Sequence, residues 1–124
     1  MWEKKAIETI KSVNLKLTPQ RLILIEVLCE IGIKHPNLRE VLEKVREYFP
    51  TMSFSTLYTN LMLFKGLGLI DLFTFGDETR IEMNMKPHFN VYNGEIRDFC
   101  DNEIIKRIEE KVGRKVRFVI VIPE

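Results

Sequence analysis

Residues 53–70 read SFSTLYTNLMLFKGLGLI. At about 3.6 residues per turn this stretch has two faces. Phe54, Leu57, Leu61, Phe64 and Leu67 fall on one arc, which predicts a helix packed on a core through that side. Ser55, Tyr58, Thr59 and Met62 fall on the opposite arc. Ser53 stands at the N-cap, where its hydroxyl accepts the first free backbone N–H groups. Gly66 and Gly68 stand where the helix should stop. The polar arc offers small hydroxyls and a phenol but no charge, whereas a face turned only to water usually carries Lys and Glu. Short hydroxyls, an amide and a phenol suit a helix that enters a DNA major groove and touches phosphates and base edges. An ordinary surface helix is the other reading of the same pattern.

Working outward, residues 3–13 form a short amphipathic helix through Ala6, Ile7, Ile10 and Val13. Thr18 caps a second helix with Pro19 in its first turn. Leu22, Ile25, Val27 and Leu28 carry it to Ile31, Gly32 ends it, and Cys29 within it reads as core. Asn37 and Glu40 have the spacing of a capping box for a third helix, whose stripe is Leu38, Val41, Leu42, Val45 and Phe49. The fourth helix is the opening stretch. Consecutive helices on short turns, the last with a polar face, describe a helix-turn-helix. Residues 69–75 then alternate as a strand, Gly76-Asp77 turns, and residues 79–85 return, which makes a wing with Arg80 as a phosphate partner near its tip.

From residue 86 the character changes. Residues 89–92 and 95–99 flank Asn93-Gly94, a strong hairpin signal. Asp101 caps a helix through Ile104, Ile105, Ile108 and Val112, ended by Gly113. The last strand, residues 115–122, is apolar on both faces over residues 118–122. A strand of this kind left at an edge is an aggregation hazard, so a homodimer that covers it is expected; a central strand within one chain is the alternative. The reading is an α+β chain, with a winged helix-turn-helix over residues 1–85 and a small α/β dimerisation domain over residues 86–124.

The 124 residues suit one domain, or two small ones, and a hydrophobic fraction of 45% supports a folded core. No apolar run is long enough for a bilayer, and MWEKKAIETIKSV lacks a signal-peptide block, so no membrane partner and a cytoplasmic location are expected. Cys29 and Cys100 form no CxxC pair, which excludes a structural four-cysteine zinc site and makes a disulfide improbable. With 19 basic and 18 acidic residues, the net charge of +1 does not announce nucleic acid, but distribution matters more than the sum. No nucleophile–base–orienter set and no glycine-rich phosphate loop is visible, so an enzyme is not expected.

The runs LKLTPQRLILIEVL, HPNLREVLEKVREYFPTMSFSTLYTNLMLFKGLGLI and GDETRIEM together resemble the ferric uptake regulator family, over residues 15–99. The likeness is greatest to its peroxide- and manganese-sensing members. The resemblance implies a dimeric, metal-responsive winged-helix transcription factor, most often a repressor, acting on operator DNA. It gives Lys16 a minor-groove role, Arg21 a phosphate contact, and Tyr58 contacts with bases and thymine methyls. Ser55, Thr56 and Thr59 match further polar positions of the recognition helix, Thr59 standing where Arg or Asn is frequent. Asn60 also matches but leans toward the buried arc. The family senses metal at a hinge between its domains, and the matching ligands here are His35, Glu82 and His88. A further carboxylate position matches Asp98, while Asn90 stands in place of a second hairpin histidine. These donors suit Fe²⁺, Mn²⁺ or Zn²⁺.

The register of the hairpin decides whether Asp98 joins them. A two-residue turn at Asn93-Gly94 sets His88 opposite Phe99 and turns Asp98 to the other face. A three-residue loop sets Asp98 beside Asn90 on the face of His88, and this second register is the one the resemblance implies, because it places His88, Asn90 and Asp98 together as the family's site needs. The alternative function is a metal-independent winged-helix binder of DNA or protein with a degenerate metal site.

Overall fold

The computed structural model describes residues Met1–Glu124. Helix α1 (Trp2–Ser12) buries Ala6 and Ile10, and its Trp2 indole N–H donates to the Leu69 carbonyl at 2.9 Å. Helix α2 (Pro19–Ile31) starts as its sequence dictates, with the Arg21 backbone N–H donating to Thr18 Oγ1 at 3.3 Å. It buries Leu24, Ile25, Val27 and Leu28, a set too wide for one stripe, because it packs on α1 and on α3 (Leu38–Tyr48). A single 3-10 turn, Gly32–Lys34, joins α2 to the loop before α3. There Asn37 Oδ1 accepts from the Glu40 N–H at 2.8 Å, and Glu40 Oε1 accepts from the Asn37 N–H at 3.1 Å, completing the capping box.

Helix α4 (Phe54–Gly66) is capped by Ser53, whose Oγ accepts from the Thr56 N–H at 3.1 Å. Its end is a Schellman motif: the Leu69 N–H donates to the Phe64 carbonyl and the Gly68 N–H to the Lys65 carbonyl, both at 3.0 Å. Gly68 supplies the required positive φ of 74°. This motif also explains why Leu69 and Ile70, expected in a strand, close the helix and fill the core instead. Strand β1 (Asp71–Phe75) pairs antiparallel with β2 (Glu78–Glu82), from Asp71 opposite Glu82 to Phe75 opposite Glu78. Gly76 and Asp77 both have positive φ, 58° and 65°, the mark of a type I′ hairpin turn.

The chain divides into two compact units, Met1–Met83 and Asn84–Glu124. The second holds β3 (His88–Tyr92), β4 (Ile96–Phe99), α5 (Asn102–Val112) and β5 (Phe118–Val121). The sheet order is β4-β3-β5, with β4 antiparallel and β5 parallel to β3. Strand β5 is therefore an edge, not a centre, and all four of its residues stay half-buried. Asp101 caps α5 through the Ile104 N–H, and Gly113 ends it at φ 78°.

Several packing expectations are corrected, and Val13, Ile104 and Val112 on the expected apolar stripes of α1 and α5 are exposed. Phe54 is exposed at 49% instead of buried, because it opens α4 beyond the reach of the core. Leu22 is exposed and Leu24 takes its place inside. Cys29 is exposed, not core; it still meets enough protein that burial first, and Glu3 second, push its thiol pKa up. Replacing Asn37 with Ala removes the side-chain acceptor of the capping box and leaves only the backbone N–H of residue 37 donating to Glu40. Urea unfolding should then show a loss of about 1–2 kcal/mol.

Candidate nucleic-acid interface and metal ligands

The exposed side of α4 carries Ser55, Thr56, Tyr58 and Thr59, as its polar arc requires. The Thr59 hydroxyl donates back to the Ser55 carbonyl at 2.8 Å, which leaves its lone pairs outward. Asn60 is buried and structural: its Nδ2 donates to the Thr56 carbonyl, and its Oδ1 accepts from Arg21 Nε, both at 3.1 Å. Arg21 also donates through Nη1 to the Lys16 carbonyl at 2.7 Å. It thus brackets the segment before α2 against α4, and Lys16 itself stays exposed. Thr18, Gln20, Arg21, Ser55, Thr56, Thr59 and Asn60 line one hollow between the starts of α2 and α4. No acid lies among them, and α4 has none along its length. Such a hollow favours an anion.

Arg80 does not stand at the wing tip. The tip is Gly76-Asp77, and Arg80 lies up the strand opposite Phe73. Its Nη1 donates to the His35 carbonyl at 2.9 Å, and Nη2 to Glu78 Oε2 at 2.7 Å. Its guanidinium is a clamp on the loop before α3. Sequence reading missed this because the partner is 45 residues away.

The clamp sets His35. This residue is left-handed, with φ 54°. Its ring lies edge-on to Phe73 at 5.9 Å, with Nδ1 3.2 Å from the Ile81 carbonyl and 3.7 Å from Glu82 Oε2. His35 and Glu82 are almost wholly buried, 2% and 1% exposed. Gly32 permits the close approach of the preceding turn: a Cβ there would lie 2.8 Å from Met83 Cγ.

The second unit holds another imidazole–carboxylate pair, with the opposite ring nitrogen toward the acid. His88 Nδ1 lies 2.6 Å from the Lys86 carbonyl, and Nε2 lies 3.8 Å from Asp98 Oδ2. The hairpin has the three-residue register: Asn90 is opposite Asp98 and Phe89 opposite Phe99. His88, Asn90 and Asp98 therefore share one face, and Phe89 stacks on Phe99, centroids 4.6 Å apart, on the other. Asp98 Oδ2 also accepts from Asn84 Nδ2 at 3.4 Å. An imidazole whose Nδ1 faces a backbone carbonyl, beside a carboxylate, is the geometry that orients a metal-binding histidine. Imidazole and carboxylate donors, all buried except the exposed Asp98, fit a divalent first-row ion. Cys100 and Cys29 are free thiols and contribute to neither group.

Comparison with known proteins gives the following. The model of the Ferric uptake regulator family matches residues 12–121. A protein of Archaeoglobus fulgidus named Ferric uptake regulation protein homolog is 57% identical over 125 residues, spanning 100% of this chain and 98% of the relative. The Peroxide operon regulator of Bacillus subtilis is 33% identical over 88 residues, 70% of this chain and 60% of that protein. Among solved structures, the ferric uptake regulator of Vibrio cholerae superposes with a TM-score of 0.74 at 23% identity, over 94% of this chain and 97% of that one. The ferric uptake regulator of Pseudomonas aeruginosa with manganese gives 0.73 at 22% identity, over 96% of both chains. The fold is the α+β one expected, a winged helix-turn-helix followed by a small α/β unit.

Replacing Arg80 with Ala should free the His35 loop. Because the lost bonds come from a charged donor, urea unfolding should register about 1.5–3 kcal/mol of destabilisation.

Proposed function

Because this chain belongs to the ferric uptake regulator family, we propose that α4 is its recognition helix and that its two imidazole–carboxylate pairs are its metal ligands. The protein is a metal-responsive, DNA-binding transcriptional regulator that acts as a dimer, and repression is the direction typical of the family. It is not an enzyme. The observation that carries the assignment of α4 is its exposed, acid-free face beside the hollow at the start of α2. In this reading Tyr58, Ser55, Thr56 and Thr59 meet the major groove, and Lys16 reaches toward the minor groove. Arg21 contributes by fixing the backbone of Lys16 to Asn60, and only its remaining N–H groups serve a phosphate. Met1–Met83 is the DNA-binding unit and Asn84–Glu124 the dimerisation unit.

The metal ligands in this reading are His35 with Glu82, and His88 with Asp98. In His88, Nδ1 is directed at the Lys86 carbonyl and Nε2 faces Asp98, so Nε2 is the ligand nitrogen there, whereas in His35 Nδ1 is the nitrogen beside both the Ile81 carbonyl and Glu82. A bound Fe²⁺, Mn²⁺ or Zn²⁺ would supply the positive charge that the buried Glu82 and the exposed Asp98 favour, and would favour the conformation in which it is held. No helix is long and apolar enough to cross a membrane.

Three measurements test the reading. Tyr58→Ala should weaken operator binding by about 1–3 kcal/mol in anisotropy titrations, the worth of a good base contact; unchanged affinity would remove α4 from the groove. DNA affinity should rise with Mn²⁺, Fe²⁺ or Zn²⁺ in the wild type, and His35→Ala or His88→Ala should abolish that response. Affinity indifferent to metal, with no heat of metal binding in calorimetry, would leave a metal-independent binder instead. Val119→Lys puts a charge on the β5 edge strand, so sedimentation should show a dimer for the wild type and monomer or aggregate for the variant.

A further inference from the structure

Helix α4 buries Leu57, Asn60, Leu61 and Phe64, and Asn60 is the one polar member of that set. An apolar side chain of the same shape would be buried there with no polar group of its own to satisfy, so stability alone does not select an amide. What the amide adds is a link between elements. Its Nδ2 donates to the Thr56 carbonyl one turn earlier in α4, which fixes the side chain's rotation. Its Oδ1 then accepts from Arg21 Nε on α2, 39 residues away. Arg21 Nη1 in turn donates to the Lys16 carbonyl at 2.7 Å. Residues 15–18 have no regular structure. Leu15 and Leu17 pack on the core, and Lys16 between them is exposed. Apolar packing is non-directional and tolerates sliding. A short bond from a charged donor to the Lys16 carbonyl is directional and does not.

We propose that Asn60 is a positioning residue: too buried to reach a base, it holds Lys16 in place through Arg21, and so fixes where the minor-groove contact falls relative to the bases under α4. The proposal rests on the reading of α4 as the recognition helix and of Lys16 as the minor-groove residue, and it says what joins the two. A duplex presents its two grooves at a fixed offset, so the two contacts are made together only if the protein holds them at that offset too. A cation in a narrow minor groove gains its energy where the phosphates crowd together, and a displaced Lys16 loses it. Arginine suits the link because its planar guanidinium carries several donors in one rigid fork. Two of them turn inward to Asn60 and Lys16, while Arg21 still lines the hollow beside α4. A lysine ammonium, a single nitrogen on a flexible stem, does not reproduce that two-pronged hold.

The test uses the full chain and a duplex that it selects from a random pool. It reads how much affinity Lys16→Ala removes in each of several backgrounds. In the wild-type background that loss should be roughly ten-fold, within the worth of a specific contact. Asn60→Leu keeps the branched shape and removes the acceptor, so the loss should shrink to about two-fold or less, a coupling beyond the scatter of independent sites. Asn60→Asp keeps an acceptor for Arg21. Its charge should lower affinity overall, yet the Lys16→Ala loss should stay near its wild-type size. Arg21→Lys keeps the charge without the fork and should behave as Asn60→Leu does. Selection repeated with Asn60→Leu should lose the A·T preference of the flank that Lys16 meets and keep the preferences under α4. An Asn60 that served stability alone would lower the melting temperature and the affinity but leave the Lys16→Ala loss and the flank preference intact. That result in a folded Asn60→Leu, or in Arg21→Lys where Asn60→Leu does not fold, overturns the proposal and leaves α4 as the recognition helix. A wild type indifferent to Lys16→Ala overturns it together with the minor-groove role of Lys16. Failure of the wild type to bind any duplex overturns the whole reading.

Discussion

Two hydrogen bonds between β2 and the loop before α3 hold the first unit in its working shape. The Ile81 N–H donates to the Pro36 carbonyl at 3.0 Å, and Arg80 Nη1 to the His35 carbonyl at 2.9 Å. The first runs beside an antiparallel bridge between Asn37 and Arg80, and the second comes from the side chain of Arg80 itself. A two-stranded hairpin is marginal by itself in water. Docked by these bonds, it has a third partner, and Ile81 enters the core of the helices. The same bonds hold the His35 carbonyl toward Arg80 and its imidazole toward Ile81 and Glu82. The left-handed backbone at His35 is the strain this arrangement contains.

What sequence reading captured was local chemistry. Thr18, Asn37, Ser53 and Asp101 cap helices as their hydroxyl, amide or carboxylate types require. Each is a contact within three residues, so a short window contains all of its cause. The hairpin register was not local in this sense: both loop lengths were open to Asn93-Gly94, and the family resemblance chose the one that puts Asn90 opposite Asp98. Phe54 failed for the opposite reason. Its angle on the helix matched the core arc, but a helix's first turn extends past what it packs on, and periodicity carries no information about where the core ends. Cys29 was misjudged likewise, as an apolar residue type within a helix whose buried set is set by its neighbours on two sides.

The candidate sites were less legible than the fold. That only two histidines exist made His35 and His88 conspicuous, but their ring orientations depend on carbonyls at Ile81 and Lys86. One of these contacts spans 46 residues. Arg80 shows the cost of assigning a charged side chain by its distance from a turn. A guanidinium offers five donors, and a neighbouring carbonyl with a left-handed backbone competes for them at closer range than any phosphate. Arg21 divides itself in the same way between Asn60 and Lys16.

The near-neutral charge is compatible with binding a polyanion because of where the acids lie. The chain has 18 acidic residues against 19 basic ones. None of them falls in α4 or lines the hollow beside it, and α2 has none in its first turn. They collect instead in places such as α3 and α5, where Glu40 and Asp101 serve caps and Glu103 pairs with Arg107. At physiological salt, charges beyond about 8 Å are largely screened. A phosphate at the α4 face therefore responds to Arg21, Lys16 and the helix N-terminus more than to distant carboxylates. Local composition decides the sign of the field there, and the sum over the chain does not.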